Sequence, residues 1–221
     1  MSRPACWCVA TMARGGVYSN AWDEAGTDAT LLADAKVTTV GSQSWTFPGR
    51  SDCMRCHTTA AGRTLGLEAA QLDRTADYPG RPARDQLATL VHVGLVEPSV
   101  PRGTALPRLD GSASAEARAR AYLHVSCASC HRPGGGSTTA MDLRFTTPLA
   151  ATKTCAVVPE RGTMAIADAR LLTPGAPEQS LLVRRPQALD VWRMPPLASQ
   201  RVDIEGTALL RAWVTGQKAC P

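Results

Sequence analysis

One five-residue pattern occurs twice in this chain, as Cys53-Met54-Arg55-Cys56-His57 and as Cys127-Ala128-Ser129-Cys130-His131. Cys-x-x-Cys-His is the attachment signature of c-type haem, and few other groups suit that order of donors. Two thiols three positions apart can each add across one vinyl group of a porphyrin. The histidine that follows then lies where its imidazole can bind the iron. Two copies point to two covalently attached haem c groups, held by Cys53, Cys56, Cys127 and Cys130 and ligated by His57 and His131. Zinc is the competing reading. The halves of a zinc-binding Cys-x-x-Cys pair usually lie roughly 15–20 residues apart, and neither needs a trailing histidine. Here the first motif ends at His57 and the second begins at Cys127. A thioredoxin-like motif needs one Cys-x-x-Cys in a βαβ setting, and neither pair has that pattern around it.

A six-coordinate haem iron needs a second axial ligand across the ring, and His and Met are the candidates. Beyond the motif histidines only His92 and His124 remain, with Met12, Met54, Met141, Met164 and Met194 as the available methionines. Met194 is assigned to the second haem. Pro195 and Pro196 follow it and restrict the backbone, which suits an extended loop held against a ring. His92 is assigned to the first haem, beside the apolar stripe of Leu87, Leu90, Val91 and Leu95. His124 lies three residues before Cys127, which makes the far face of either ring hard to reach. It reads instead as a surface or propionate-side residue, and Met54 lies inside its own motif.

The rest of the composition suits haem domains. Aromatics are only 5% of the 221 residues, with Gly 18 and Pro 16, and a porphyrin would itself supply apolar core. The formal charge of +5 falls toward neutral once each haem adds two propionates. The basic residues are scattered rather than clustered as a phosphate-binding patch would need, so no nucleic-acid partner is expected. No stretch approaches the roughly 18 apolar residues of a membrane span. Haem attachment places the protein in the bacterial periplasm or another exported compartment. Residues 1–20 lack the apolar core of roughly 7–15 residues that a secretory signal requires. The expectation is that the chain is the end of a longer exported protein, with Met1 an internal or misassigned start.

Along the chain, residues 1–50 read as a β-prone N-terminal segment, possible remnant of an upstream domain, with short strands at Lys36–Val40 and Ser44–Phe47 around Gly41. Asn20 to Asp28 reads as a polar loop. Residues 51–110 read as the first haem unit and its linker. One helix is expected from Thr64 through Leu72 and another from Asp85 through Leu95, with 97–112 the Pro-rich connection. Residues 111–221 read as the second haem unit. A helix capped by Ser114 leads into Cys127, Pro133-Gly134-Gly135-Gly136 turns the chain, and helices follow from Pro177 to Arg185 and from Asp203 to Thr215. Cys155 and Cys220 bracket this unit and are candidates for a disulfide, which an exported compartment permits. Cys6 and Cys8 are given no role.

The order of helix, CASCH, loop, RMPPL and terminal helix over residues 114–216 resembles a class I cytochrome c domain. The wider run from Trp22, through SDCMRCH, DQLATLVHVGL and RARAYLHVSCASCHRPGG to RMPPL, is similar to the dihaem cytochrome c region of exported bacterial proteins. Such a region can be joined to, or encoded beside, a β-rich domain such as a quinoprotein sugar dehydrogenase. The resemblance implies a mainly α fold of two tandem cytochrome c-like domains. It also implies electron transfer from a dehydrogenase-type donor to a respiratory acceptor, with no substrate pocket and no catalysis of its own. The alternative enzyme is a dihaem c-type peroxidase, for which only Glu68 and Glu97 near the first unit offer acid–base groups. A redox or gas sensor would call for an effector domain, which this chain does not show.

Overall fold

The computed structural model describes residues 7–11, 16–197 and 199–221. Met1, Cys6 and Met12 lie outside the described residues. An antiparallel sheet forms first, in the order β1 (Trp7–Thr11), β2 (Gly16–Trp22), β3 (Ala29–Leu31). In β2 the side chains alternate between the two faces of the strand, and Val17 and Ser19 are the buried pair. A hairpin follows, β4 (Lys36–Val40) with β5 (Gln43–Phe47), turned at Gly41, whose φ of 61° suits a residue without a Cβ. Part of the expected loop is therefore strand: Asn20, Ala21 and Trp22 pair with β3.

The N-terminal strands are tied to the first motif. Ser19 Oγ donates to the Pro48 carbonyl at 2.8 Å, and the Arg50 guanidinium lies 4.6 Å from the centre of the Tyr18 ring. A single turn, α1 (Arg50–Cys53), then carries the chain into Cys53, with the Gly49 N–H donating to Asp52 Oδ2 at 3.1 Å.

The mainly α tandem-cytochrome reading of the fold is corrected by the structure, which has 26% helix and 16% strand. The difference lies in the N-terminal half. The helix expected from Thr64 is only α2 (Ala69–Leu72): Gly66 interrupts the first part of the apolar run, which follows a turn through the left-handed region at Gly62 and Arg63, φ 76° and 59°. Leu65 and Leu67 are exposed rather than on a helical stripe. Where no regular structure was expected, β6 (Thr75–Tyr78) pairs with β7 (Arg81–Asp85) around Pro79-Gly80. The turn chemistry sets this hairpin, since its strands carry almost no apolar alternation. Asp85 caps α3 (Gln86–His92), accepting from the Ala88 N–H at 2.8 Å. Residues 93–113 contain no helix or strand, and fold back on this half. Arg102 pairs with Asp73 at 2.5 Å and Asp85 at 2.8 Å, and the Leu106 N–H donates to the Ala70 carbonyl.

The C-terminal half follows its sequence more closely. Ser114 caps α4 (Ala115–Cys127) by accepting from the Ala117 N–H, and Asp203 caps α6 (Ile204–Gly216) by accepting from the Gly206 N–H. Between them α5 (Leu181–Gln187) follows a short 3-10 turn at Pro177–Gln179. Leu123 of α4, Leu182 and Val183 of α5, and Leu210, Trp213 and Val214 of α6 share one buried cluster. The α4–α6 crossing is close because Gly206 has no side chain: a Cβ there would overlap the Tyr122 ring. Cys155 and Cys220 form the anticipated disulfide, which ties the C-terminal tail to the loop after the second motif. Among the described residues no helix is long and apolar enough to cross a membrane.

Two outcomes follow for stability. Gly206→Val forces the crossing helices apart, and overpacking of this kind costs roughly 1–3 kcal/mol, read as a lower urea midpoint. Asp142 is buried, and hydrogen bonds from Arg144 hold its carboxyl down at about 2. A carboxyl lowered by folding stabilises the protein above its unfolded value near 4, and that stability is lost as pH falls toward 2. Asp142→Asn should therefore lower stability by about 2 kcal/mol at pH 7 and flatten the acid-unfolding curve between pH 4 and 2.

Candidate functional site

The two motifs, separated by 74 positions, meet in space. Cys130 Sγ lies 3.0 Å from Cys56 Sγ and 3.4 Å from the Arg55 carbonyl. Each is the second cysteine of its motif. The backbone makes this approach possible at Gly136, where a Cβ would overlap the Arg55 carbonyl oxygen. Arg132, next to His131, donates from Nη1 to the Ala60 carbonyl at 3.0 Å and from Nε to the Ala128 carbonyl, so it clasps both motif loops. A second tie comes from His124. Its Nδ1 accepts from the Phe145 N–H at 3.1 Å, so the proton sits on Nε2, which donates to Glu68 at 2.9 Å.

This differs from the surface placement expected for His124: its side chain is only 11% exposed, and Glu68, half in solvent, is its hydrogen-bond partner. Both ring nitrogens of His124 are engaged, so neither is bare for an iron. Glu97 is exposed.

The motif histidines are set differently. His57 Nδ1 lies 2.6 Å from the Arg63 carbonyl, which can only accept, so Nδ1 carries the proton and Nε2 has the free lone pair. That carbonyl is aimed by the left-handed conformation of Arg63, a costly one for a residue with a side chain. His131 Nδ1 lies 3.3 Å from Thr139 Oγ1, which in turn sits 3.0 Å from Ser137 Oγ. Orienting one imidazole nitrogen by hydrogen bond while the other faces a metal is the usual outer-shell arrangement of a ligating histidine. Burial, and then the charge of Arg185, push the His131 imidazole below its ordinary value. It is therefore neutral near pH 7, the form that binds a metal.

The thiols divide by burial. Burial, with a smaller effect from Cys130, pushes Cys127 up to about 12. Between Cys56 and Cys130 the hydrogen bond they share is the largest effect, lowering Cys130 and raising Cys56. A zinc site of four thiolates would need all four sulfurs to converge. What converges is one sulfur pair, and among the described residues no group of three or more His, Cys, Asp or Glu gathers as a metal site.

Around the second motif lies a cationic cluster not anticipated from sequence. Arg185 donates from Nη2 to the Arg161 and Gly162 carbonyls and sits 5.7 Å from the centre of the Trp192 ring. Its Nε is buried without a hydrogen-bond partner. Burial and the neighbouring Arg161 both lower the Arg185 guanidinium from its ordinary value. A carboxylate held there would offset both costs, so the cluster fits the propionates of a haem bound at His131. Gly162, at φ 77°, is the floor under Trp192, since a Cβ would come within 2.7 Å of the ring. Met194 is half-buried, with its N–H donating to the Arg185 carbonyl at 3.2 Å, so its loop is fastened to the same residue whose charge acts on His131. His92 is the last residue of α3 and is exposed. Cys53, Cys56 and His57 would be the donors to one haem c group, and Cys127, Cys130 and His131 the donors to the other.

No family model, no curated protein and no solved structure matches this chain. The functional reading therefore rests on the residues and their placement.

The contact at Gly136 is directly testable. Gly136→Ala separates the two motif loops, at roughly 1–3 kcal/mol of overpacking. It should also speed alkylation of Cys56 in the unloaded chain, while Gly216→Ala, in open space at the end of α6, changes neither.

Proposed function

We propose that this chain is a dihaem cytochrome c, carrying electrons between an exported dehydrogenase-type donor and a respiratory acceptor. The observation that carries the reading is the meeting of two complete Cys-x-x-Cys-His motifs at Cys56 and Cys130. Two groups anchored there would be neighbours, as a carrier that hands electrons from one centre to the next requires. When bound, haem supplies a one-electron iron couple.

The residues of the chain have separate tasks. Cys53, Cys56, Cys127 and Cys130 would hold the groups covalently. His57 would give Nε2 to one iron, with Arg63 fixing its tautomer, and His131 would do the same with Thr139 behind it. Arg185 and Arg161 would neutralise carboxylates at the second site. Met194 and His92 would be the further donors to iron, at the second and first site respectively. Met/His ligation raises an iron's potential relative to two imidazoles, so electrons would run from the first site to the second. Of the acid–base candidates for peroxide cleavage, Glu68 is paired with His124 and Glu97 is exposed.

The test is haem stoichiometry by pyridine haemochrome and intact mass, on protein made in cells with c-haem maturation machinery. The expected result is two covalent haems per chain, one after Cys127→Ser with Cys130→Ser, and two reductive waves of which Met194→His lowers one. A single potential for both haems contradicts the ligand assignment, and absence of covalent haem overturns the proposal.

A further inference from the structure

The four motif thiols are not equivalent before any haem is attached. Cys53 is buried, and Cys127 ends α4 packed against the core. Cys56 and Cys130 are half-buried, and their sulfurs already stand 3.0 Å apart. A disulfide needs about 2.0 Å, so closure asks for roughly 1 Å of movement. The surroundings hold the pair in register: Gly136 rests on the Arg55 backbone, and Arg132 bonds the Ala60 carbonyl. The same fold carries the Cys155–Cys220 disulfide, so conditions that form that bond also act on these thiols.

We propose that in the unloaded chain Cys56 and Cys130 join as a disulfide that bridges the two motifs. The oxidant is a disulfide of the exchange type, glutathione disulfide or an oxidised dithiol protein. One sulfur of the pair gives its proton to solvent and attacks one sulfur of that disulfide, forming a mixed disulfide and releasing one partner thiolate. The other sulfur then gives its proton to solvent and attacks the first, releasing the second partner thiolate. Two protons and two electrons leave this chain, and the oxidant is reduced to its thiols. The bond removes one nucleophile from each motif at once, so one reduction event licenses both attachments. The bond itself is independent of the haem reading; only this consequence rests on it.

Peptide mapping of the full chain, made without haem maturation and treated with glutathione disulfide, tests the bond. Trypsin cuts after Arg55 and so separates Cys53 from Cys56, while Cys127 and Cys130 stay on one peptide. The expected product, after alkylation without reductant, links the Cys56–Arg63 peptide to Cys130, with Cys53 and Cys127 alkylated. Linkage within the motifs, Cys53 to Cys56 and Cys127 to Cys130, overturns the proposal, as does alkylation of all four. Cys130→Ser should leave Cys56 open to alkylation, and because the wild-type map decides the question, poor folding of that variant does not. Haem attachment before and after reduction separates the two readings. Attachment only after reduction supports the licensing role, and equal attachment in the bridged chain overturns it. A mapped bridge in a reduced chain that never takes haem leaves the bond standing and removes the proposed function.

Discussion

The contact between Cys56 and Cys130 organises the rest of the molecule. It joins residues 74 positions apart, and an ordering of that length must be supported on both sides to offset the entropy of closing the loop. Each flank provides support. On one side Gly136 removes the side chain that would keep the Arg55 backbone away, and Arg132 spans both loops. On the other, His124 bonds Glu68 from α4, so the helix that delivers the second motif also grips the first half. Two attachment motifs could sit anywhere on a surface and still bind. Held edge to edge, they form one site with two anchor points.

The halves reach that contact by different physics. The second motif leaves α4, whose inner face is locked into the core shared with α5 and α6. Tyr122 lying on Gly206 fixes the crossing. The first motif has no such core. It is positioned by a one-turn helix clamped under the N-terminal sheet, through Ser19 to Pro48 and Arg50 over Tyr18, and by loops whose conformation depends on Gly62 and Arg63. The histidines reflect this. His131 is set beside the half-buried Arg185, whereas His57 is set by one strained backbone carbonyl.

What could be read from the sequence was local. Ser114 and Asp203 mark helix starts because a side-chain oxygen can serve an otherwise unpaired N–H, and the apolar period of α6 marks its length. Gly41 between β-prone runs marks the β4–β5 hairpin. The β6–β7 hairpin is hard to read because Thr75–Tyr78 is too short for its alternation to stand out and Arg81–Asp85 is exposed throughout, although Pro79-Gly80 marks a turn. The helix from Thr64 reads longer in sequence than it is because its apolar spacing suits a helix, while Gly66 inside the run weakens it. The meeting of the motifs had one sequence trace, the run Gly134-Gly135-Gly136, which reads as a flexible turn until the Arg55 carbonyl is seen against it. The Arg161–Arg185–Trp192 cluster had none, since its members are spread along the chain and joined by backbone carbonyls.

Electron paramagnetic resonance of the fully oxidised, haem-loaded protein bears most directly on the claim that the two motifs form one site. The account predicts signals broadened and relaxed by mutual coupling, unlike the sum of spectra from variants that each load a single haem. A spectrum equal to that sum would mean that the two centres are magnetically isolated, and would contradict the contact on which the account rests.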